Sequence, residues 1–359
     1  MANRPTRCSA WPLTIDHGLG AVRLQNELIE VTVLSDKGAD IYELTYRPRA
    51  IDVLWKSPWG LPSPAVTLRA TASEVAWVDA YPGGWQVILP NGGDACTVDG
   101  VELGFHGEAA LAAWDHRILQ ADDEGCRVQF TTRLRRTPFR ITRTMALQPG
   151  QPVLQIHERV TNEGGHAVPY MWSHHPAFGA PFLSEACRID VGAAQLWADD
   201  LRAGPANPLT RGERYPWPAV ACGHRLDRVP GQSEPRALMA YLEAFESGWY
   251  AITNTQLGFG VALAWPSDVF PYAWLWQEMH ASPGYPWYAG TYVMAIEPAT
   301  SIPGQGLAAA IEKTGSHRVL EAGESVEATL VAVFYEGASG VSAVSQDGRV
   351  TLRSADDAP

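Results

Sequence analysis

The feature that most restricts the fold is a series of short segments in which apolar and polar residues alternate. In residues 127–135, for example, the side chains of Val128, Phe130 and Leu134 would all lie on one face of an extended chain. A period of two is typical of a β-strand with one buried face. Turn residues such as Pro149-Gly150 separate these segments at short intervals, which predicts antiparallel strands joined by tight connections.

Few segments compete with this strand pattern. Residues 108–114 and 307–313 are each predicted to form a short helix, and residues 200–235, rich in Pro, Gly and Arg, are expected to run irregularly over the surface. No repeat or linker divides the body. We therefore predict an all-β fold, a single large antiparallel β-sandwich domain over residues 1–340, followed by a polar, loosely held tail at residues 341–359.

Charge and cysteine usage narrow the possible partners. The chain has 27 Lys and Arg against 39 Asp and Glu, a formal net charge of −12, which argues against a nucleic acid or an anionic membrane as partner. No apolar run approaches the roughly 18 residues of a membrane span. The five cysteines contain no CxxC pair and predict reduced thiols in a cytoplasmic protein: Cys8, Cys96, Cys126, Cys187 and Cys222.

Two adjacent histidines lie within residues 170–179, where an aromatic-rich strand is expected to end. His174 and His175 would point to opposite faces of an extended strand, so at most one of them can face a given cleft. Pro176 disfavours a helical conformation at His175 and supports a strand end there. Each histidine is compatible with a hydrogen-bonded structural role as well as a chemical one.

Two further segments place polar groups where a β-sandwich does not need them. His106 lies between Gly104 and Gly107, glycines that allow the backbone to approach a ligand closely, although an exposed histidine in a Gly-rich loop fits the same pattern. Glu297 ends an otherwise apolar strand, a costly position unless the carboxylate is solvated or hydrogen-bonded. A carboxylate facing a cleft satisfies that condition, and so does an edge glutamate in solvent.

The spacing of these groups argues against metal chemistry. Ligands of zinc or iron usually include two residues within a few positions of each other, whereas His106, His175 and Glu297 are far apart in the sequence. The chain also lacks a GxSxG nucleophile motif, a GxGxxG motif after a strand and a P-loop. We therefore expect neither a metal nor another cofactor.

Taken together and in this order, the three segments resemble the aldose 1-epimerase (galactose mutarotase-like) family. The motifs are His106-Gly107, His-Pro-x-Phe at residues 175–178 and Glu-Pro-x-Thr at residues 297–300, and the similarity extends from Gly38 to Glu324. The resemblance implies a β-supersandwich with an open cleft for a pyranose. It further implies a cofactor-independent isomerase that interconverts the α and β anomers of a sugar.

The resemblance also implies a role for each of the three residues. Glu297 would be the general base that removes the proton of the anomeric hydroxyl, and His175 the general acid that protonates the ring oxygen. His106 would hydrogen-bond the sugar. Ring opening needs a base and an acid at once, and carboxylate and imidazole are suitable groups for these tasks.

The sequence departs from the family pattern at two positions that would carry cationic sugar contacts. Ala110 stands where many family members have the arginine of an HGxAR arrangement, and Gly92 follows Asn91 where many have Asn-Arg. An uncommon or modified aldose is therefore expected as substrate. The side chains expected to contact it are Trp85, Gln86, Asn91 and Gln277.

Two other functions remain open at this stage. One is a non-catalytic carbohydrate-binding or sensing protein on the same fold, since a fold does not fix a function. The other is an epimerase or isomerase of a modified sugar that uses the same base. A small-molecule sugar is the expected partner in every case, and the chain is expected to be a monomer or a homodimer.

Overall fold

The predicted all-β fold is confirmed. The computed structural model describes residues 7–63, 72–202, 204–218 and 225–354, with 51% of residues in strands and 6% in helices. In this part of the chain Cys8, Cys96, Cys126 and Cys187 are free thiols, as expected, and Cys222 lies outside the described residues.

The strands follow one another along the whole described chain. They are β1 (Ser9–Ile15), β2 (Leu19–Gln25), β3 (Ile29–Leu34), β4 (Asp40–Tyr46), β5 (Ile51–Asp52), β6 (Trp85–Ile88), β7 (Cys96–Val98), β8 (Val101–Leu103), β9 (Asp115–Asp122), β10 (Gly125–Arg133), β11 (Phe139–Leu147), β12 (Val153–Asn162), β13 (Val168–Tyr170), β14 (Ser173–Phe178), β15 (Cys187–Ala198), β16 (Arg214–Pro216), β17 (Arg236–Asn254), β18 (Phe259–Trp265), β19 (Tyr272–Met279), β20 (Tyr292–Ala299), β21 (Arg318–Leu320), β22 (Ser325–Glu336), β23 (Val341–Val344) and β24 (Val350–Leu352).

Most of these strands belong to one antiparallel sheet, which curves until it is nearly barrel-shaped. One half of the sheet has the order β9, β10, β11, β12, β22, β18 and β17. The other half continues from β17 through β19, β20, β14, β6, β4, β3 and β2 to β1. The long β17 joins the halves, because residues 236–242 pair with β19 and residues 248–254 pair with β18.

The alternation that predicted the strands also places their side chains in the core. Phe130 on β10, Ile141 on β11 and Ile156 on β12 are fully buried. Arg143 of β11 lies on the same buried face as Ile141, although its side chain is charged. It is fully buried, hydrogen-bonds Glu158 across the β11–β12 pair, and donates to the carbonyl of Ala39 at 2.7 Å.

The helical segments are short and only partly as predicted. Residues 307–313 are helical as expected, with α2 (Leu307–Ala309) running into a π-helical turn at Ala310–Thr314. Residues 108–114 contain only a 3-10 turn at Ala109–Leu111, and α1 (Ser73–Asp79) was not predicted. A further 3-10 turn spans Asp16–Gly18. No helix in the described ranges is long and apolar enough to cross a membrane.

The C-terminal segment differs from the expected loose tail. Strands β23 and β24 form an antiparallel hairpin, and Val341 and Val344 are buried against the outer face of β17, β18 and β22. Asp190 fixes the start of this hairpin by accepting a hydrogen bond from the amide of Val341 at 2.9 Å and another from Arg353 at 3.0 Å. The alternation was too short and too polar to show this packing. Residues 355–359 lie outside the described ranges.

Candidate active site

The candidate site is built on a row of side chains that crosses neighbouring strands at one level. The register of β14 with β20, which pairs Ser173 with Ala299 and Ala177 with Ala295, sets His175 opposite Glu297. On either side, His175 lies opposite Gln86 of β6, and Glu297 lies opposite Trp274 of β19. Directly opposed residues of an antiparallel sheet point to the same face. The row therefore brings together residues that are distant in sequence.

His175 and Glu297 form the central pair of this row. Nε2 of His175 lies 3.7 Å from Oε1 of Glu297, and both side chains are buried. The hydroxyl of Tyr81 lies 3.4 Å from Nδ1 of His175, on the other edge of the ring. Among the described residues Oε2 of Glu297 has no hydrogen-bond partner. A buried carboxylate oxygen without a partner is costly, and a ligand hydroxyl would satisfy it.

Burial shifts both members of the pair away from their charged forms. Desolvation raises the pKa of Glu297 well above its usual value and lowers the pKa of His175 to about 4. Both shifts follow from the cost of placing a charge in a site that excludes water. Without a ligand, the site therefore favours a neutral imidazole beside a protonated carboxyl group. Opposed shifts of this kind are common at acid/base sites.

His106 completes the set of three residues picked out from the sequence. Its ring centroid lies 6.0 Å from that of His175, and the amide of Gly93 donates a hydrogen bond to its Nδ1 at 3.0 Å. Burial, reinforced by His175 and Arg202, holds the pKa of His106 well below its usual value. A neutral ring that accepts at Nδ1 carries its proton on Nε2. His106 is therefore a hydrogen-bond donor, and its backbone is held at a positive φ of 55°.

These three residues line a cavity of about 140 Å³ whose walls are largely aromatic. Trp77 of α1 packs beside His106 with the ring centroids 4.7 Å apart, and Trp276 of β19 packs beside His175 at 5.6 Å. Both tryptophans escaped the sequence analysis. Trp276 is two positions from Trp274 and therefore on the same face of β19, a signal that would have identified it once the register was known.

Arg202 is the cationic residue of this cavity, and sequence reasoning missed it. Its guanidinium forms an ion pair with Asp94 and lies 5.9 Å from the ring of Phe105. Asp199 holds the segment in place by accepting hydrogen bonds from the amide of Leu201 at 2.8 Å and from the hydroxyl of Tyr241. The segment follows β15 in the region expected to be an irregular surface excursion. Ala110, by contrast, is buried, and its carbonyl accepts a hydrogen bond from Lys37.

Of the four expected sugar contacts, Gln86 and Asn91 have partners within the protein. Gln86 lies on the same face as His175, but its amide nitrogen donates to Asp40 at 2.9 Å. Asn91 donates to the carbonyl of Gly104 at 2.8 Å and accepts from the amide of Leu307 at 2.7 Å. Neither lines the cavity, and Asn91 instead holds together the loops that carry His106.

The other two expected contacts, Trp85 and Gln277, lie on the opposite face of the sheet. Trp85 donates its indole N–H to Nδ1 of His174 at 3.1 Å, and Gln277 lies 3.5 Å from the sulfur of Met294. Both are buried away from the cavity. His174 accepts that hydrogen bond on the opposite face. No cluster of three or more His, Cys, Asp and Glu suited to a metal occurs in the described ranges.

Comparison with known proteins extends this description. The family described as Domain of unknown function (DUF4432) matches residues 16–332. No curated protein matches the sequence significantly.

Solved structures share the fold at low sequence identity. A galactose mutarotase-like protein from Clostridium acetobutylicum superimposes with a TM-score of 0.64 at 16% identity, over 91% of this chain and 98% of that one. A galactose mutarotase related enzyme from Lactobacillus acidophilus gives a TM-score of 0.59 at 16% identity, over 90% of this chain and 100% of that one. A galactose mutarotase-like protein from Lactobacillus casei gives 0.55 at 17% identity, over 88% and 100%. The mutarotase-like fold implied by the sequence motifs is thus confirmed.

Proposed function

The chain belongs to the DUF4432 family, and from its fold and the His175–Glu297 pair we propose that it is an aldose 1-epimerase acting on a pyranose. The observation that carries the proposal is the approach of Nε2 of His175 to within 3.7 Å of Oε1 of Glu297 in an aromatic cavity. An acid and a base side by side can serve two oxygens bonded to one carbon. The anomeric carbon of a pyranose presents that arrangement, with the ring oxygen and the anomeric hydroxyl.

In the proposed reaction, Glu297 as carboxylate takes the proton of the anomeric hydroxyl. The C1–O bond to the ring oxygen breaks, a C1=O double bond forms, and His175 as imidazolium gives its proton to the ring oxygen. Rotation about the C1–C2 bond presents the other face of the aldehyde. The same two protons then return as the ring closes, so no cofactor is consumed.

Burial favours the neutral pair that this ring opening produces. Before the transfer the pair is ionic, with one negative and one positive member, and after it both members are neutral. The raised pKa of Glu297 and the lowered pKa of His175 both favour the neutral pair, the form that accompanies the open-chain aldehyde. A dry site thus favours proton donation by the ionic pair, and forming that pair from the neutral one is the unfavourable step that precedes ring opening.

The residues around the pair have supporting roles in this proposal. His106 donates from Nε2 to a sugar oxygen, because Gly93 already occupies its Nδ1. Arg202 supplies the cationic contact for which Ala110 and Gly92 leave no arginine. Trp77 and Trp276 present flat faces to the C–H side of the ring.

The test is the rate of anomer exchange, followed by NMR magnetisation transfer between anomeric protons across a panel of aldoses. We expect Glu297→Gln and His175→Asn each to reduce exchange by about 10²–10⁴-fold, the usual contribution of a general acid or base. Glu246→Gln, on an exposed stretch of β17, serves as the matched control and should exchange at the wild-type rate.

Three results would count against the proposal. If the Glu297→Gln variant exchanges anomers at the wild-type rate, Glu297 is not the general base. Tight sugar binding by the wild type without acceleration for any aldose would instead identify a carbohydrate-binding protein on this fold. Interconversion of a keto sugar or sugar acid, lost in Glu297→Gln, would favour the epimerase or isomerase alternative.

A further inference from the structure

A second, larger cavity adjoins the one that contains His175 and Glu297. Its volume is about 920 Å³, within the range of small-molecule sites, whereas the inner cavity measures about 140 Å³. The two cavities share Val78, Pro286 and Trp287 in their walls. A ligand in the outer cavity would therefore lie next to one in the inner cavity.

The described walls of the outer cavity carry aromatic side chains that a stable fold has no reason to leave in water. Trp59 is 42% exposed, Tyr285 is 50% exposed and Tyr288 is 68% exposed. Clustered exposed aromatic residues usually mark a binding surface. All three lie in this one cavity.

A continuous series of aromatic rings connects this surface to the reacting groups. The ring of Trp276 lies 5.6 Å from that of His175, and the ring of Trp287 lies 5.5 Å from that of Trp276. Trp59 then stacks on Trp287 at 6.1 Å with an interplanar angle of 29°. The planar faces thus continue outward beyond the space that the inner cavity provides.

Polar groups at the rim complete the chemistry of a sugar site. Asp79 lines the outer cavity and accepts a hydrogen bond from the hydroxyl of Tyr285 at 3.2 Å, and His17 lines the same cavity. Aromatic faces beside a carboxylate and an imidazole suit a pyranose, which has C–H groups on its faces and hydroxyls at its edge. A purely apolar ligand would displace water from these polar groups without hydrogen-bonding them.

We propose that the outer cavity is a second sugar subsite and that the substrate is a reducing disaccharide or longer reducing oligosaccharide. The inference rests on the proposed function, because the reaction needs a free anomeric hydroxyl at Glu297. The sugar in the outer cavity must therefore be joined to the reacting sugar through a hydroxyl other than the anomeric one. A 4-linked reducing disaccharide meets this requirement.

The test compares glucose with its 4-linked reducing disaccharides maltose, cellobiose and lactose, and galactose with galactobiose, by NMR anomer exchange. Wild type is expected to have a higher kcat/KM for at least one disaccharide than for its monosaccharide. Trp59→Ala should lower that disaccharide value about fivefold, the effect of one lost stacking contact, and leave the monosaccharide value within about twofold. Trp11→Ala removes a comparably exposed tryptophan of β1 outside both cavities and should change neither.

If Trp59→Ala lowers kcat/KM equally for the disaccharide and its monosaccharide, or does not lower the disaccharide value, the outer cavity is not a second sugar subsite. If wild type accelerates no exchange, the proposed function fails, and calorimetry of the same sugars decides the subsite independently. Tighter binding of a disaccharide than of its monosaccharide, weakened by Trp59→Ala, would then support it. Equal or undetectable binding would refute it.

Discussion

Nε2 of His174 lies 3.2 Å from Oε2 of Glu158 on one face of β14, while the adjacent His175 faces the cavity on the other. The two neighbours should therefore respond differently to the same change. His174→Asn should cost about 1–3 kcal/mol of unfolding free energy, because it leaves Glu158 with one buried partner fewer, and should keep kcat. His175→Asn should lose exchange and keep most of its stability. Urea unfolding and NMR exchange of both variants test this, and a folded but inactive His174→Asn would contradict it.

The pH dependence of the reaction should follow the single proton that the pair shares. Below a pH of about 4 His175 and Glu297 are both protonated, so no base remains. Above the raised pKa of Glu297 both have lost the proton, so no acid remains. We expect kcat/KM to be flat between these limits, a range that begins near pH 5 at about one unit above the lower pKa. A profile with a midpoint near the ordinary histidine pKa would show that His175 is not desolvated as described.

Stability should depend on pH through Glu297 with the opposite sign from that of an ordinary paired carboxylate. A carboxyl group whose pKa is higher in the folded than in the unfolded chain favours folding when it is protonated. Wild type should therefore lose stability as the pH rises above 4.5, the usual pKa of a glutamate side chain. Glu297→Gln does not titrate. The difference in unfolding free energy between Glu297→Gln and wild type should therefore be smallest near pH 4. It should grow in favour of the variant to roughly 1–3 kcal/mol by about pH 8.

Chemical unfolding at about pH 4, 6 and 8 measures this difference, with Glu246→Gln as the exposed control. The control should show no such growth, since the side chain of Glu246 is exposed to solvent. An advantage of Glu297→Gln that is constant across the range, or that shrinks as pH rises, would contradict the prediction.

Arg202 and Asp94 should affect substrate binding more than the chemical step. Arg202→Met removes the cation from the cavity, and we expect KM to rise about tenfold with kcat within about threefold, the pattern of an interaction made equally in the ground and transition states. Asp94→Asn leaves Arg202 in place but frees it from its ion pair. Its KM should change less than that of Arg202→Met. Steady-state exchange rates over a range of sugar concentration separate the two parameters, and a loss confined to kcat would contradict the assignment.

His106 can be replaced without disturbing its backbone. The positive φ of 55° favours asparagine among residues with a side chain, so His106→Asn should fold normally while losing the Nε2–H donor. We expect kcat/KM to fall by about 10- to 100-fold, the cost of one directed hydrogen bond to a buried polar group. His106→Ala provides the comparison, since it should lose the same activity and also some stability. Full activity in both variants would exclude the proposed contact.

The sequence identified the motif residues of the site but placed them wrongly at strand ends, because β14 and β20 continue past His175 and Glu297. Glu297 and His175 each stand before a proline in a strand, and their motifs come in a recognisable order, so both residues and the fold could be predicted. The sequence could not show on which face of the sheet the side chains of Trp85 and Gln277 lie. Both sides of β6 and β19 are covered by other parts of the protein, so hydrophobic alternation does not reveal which side faces a cleft.

Arg202 and Trp77 could not be predicted for a different reason. Arg202 reaches the cavity from an irregular segment, which Asp199 and Tyr241 hold in place through contacts between distant parts of the chain. Trp77 arrives on α1, a helix with no hydrogen-bonding side chain at its N-cap and therefore with little local signal. Residues whose position depends on tertiary contacts leave no periodic pattern.

The alignment of His175 and Glu297 across β14 and β20 has an evolutionary consequence. Their separation is fixed by the spacing of neighbouring strands, about 4.8 Å, and by a register that the whole ladder enforces. Insertions and deletions in the loops cannot change that separation without breaking the sheet. The loops that carry Arg202 and Trp287 lie outside this ladder, so changes in them can reshape the cavity wall without moving His175 and Glu297 apart.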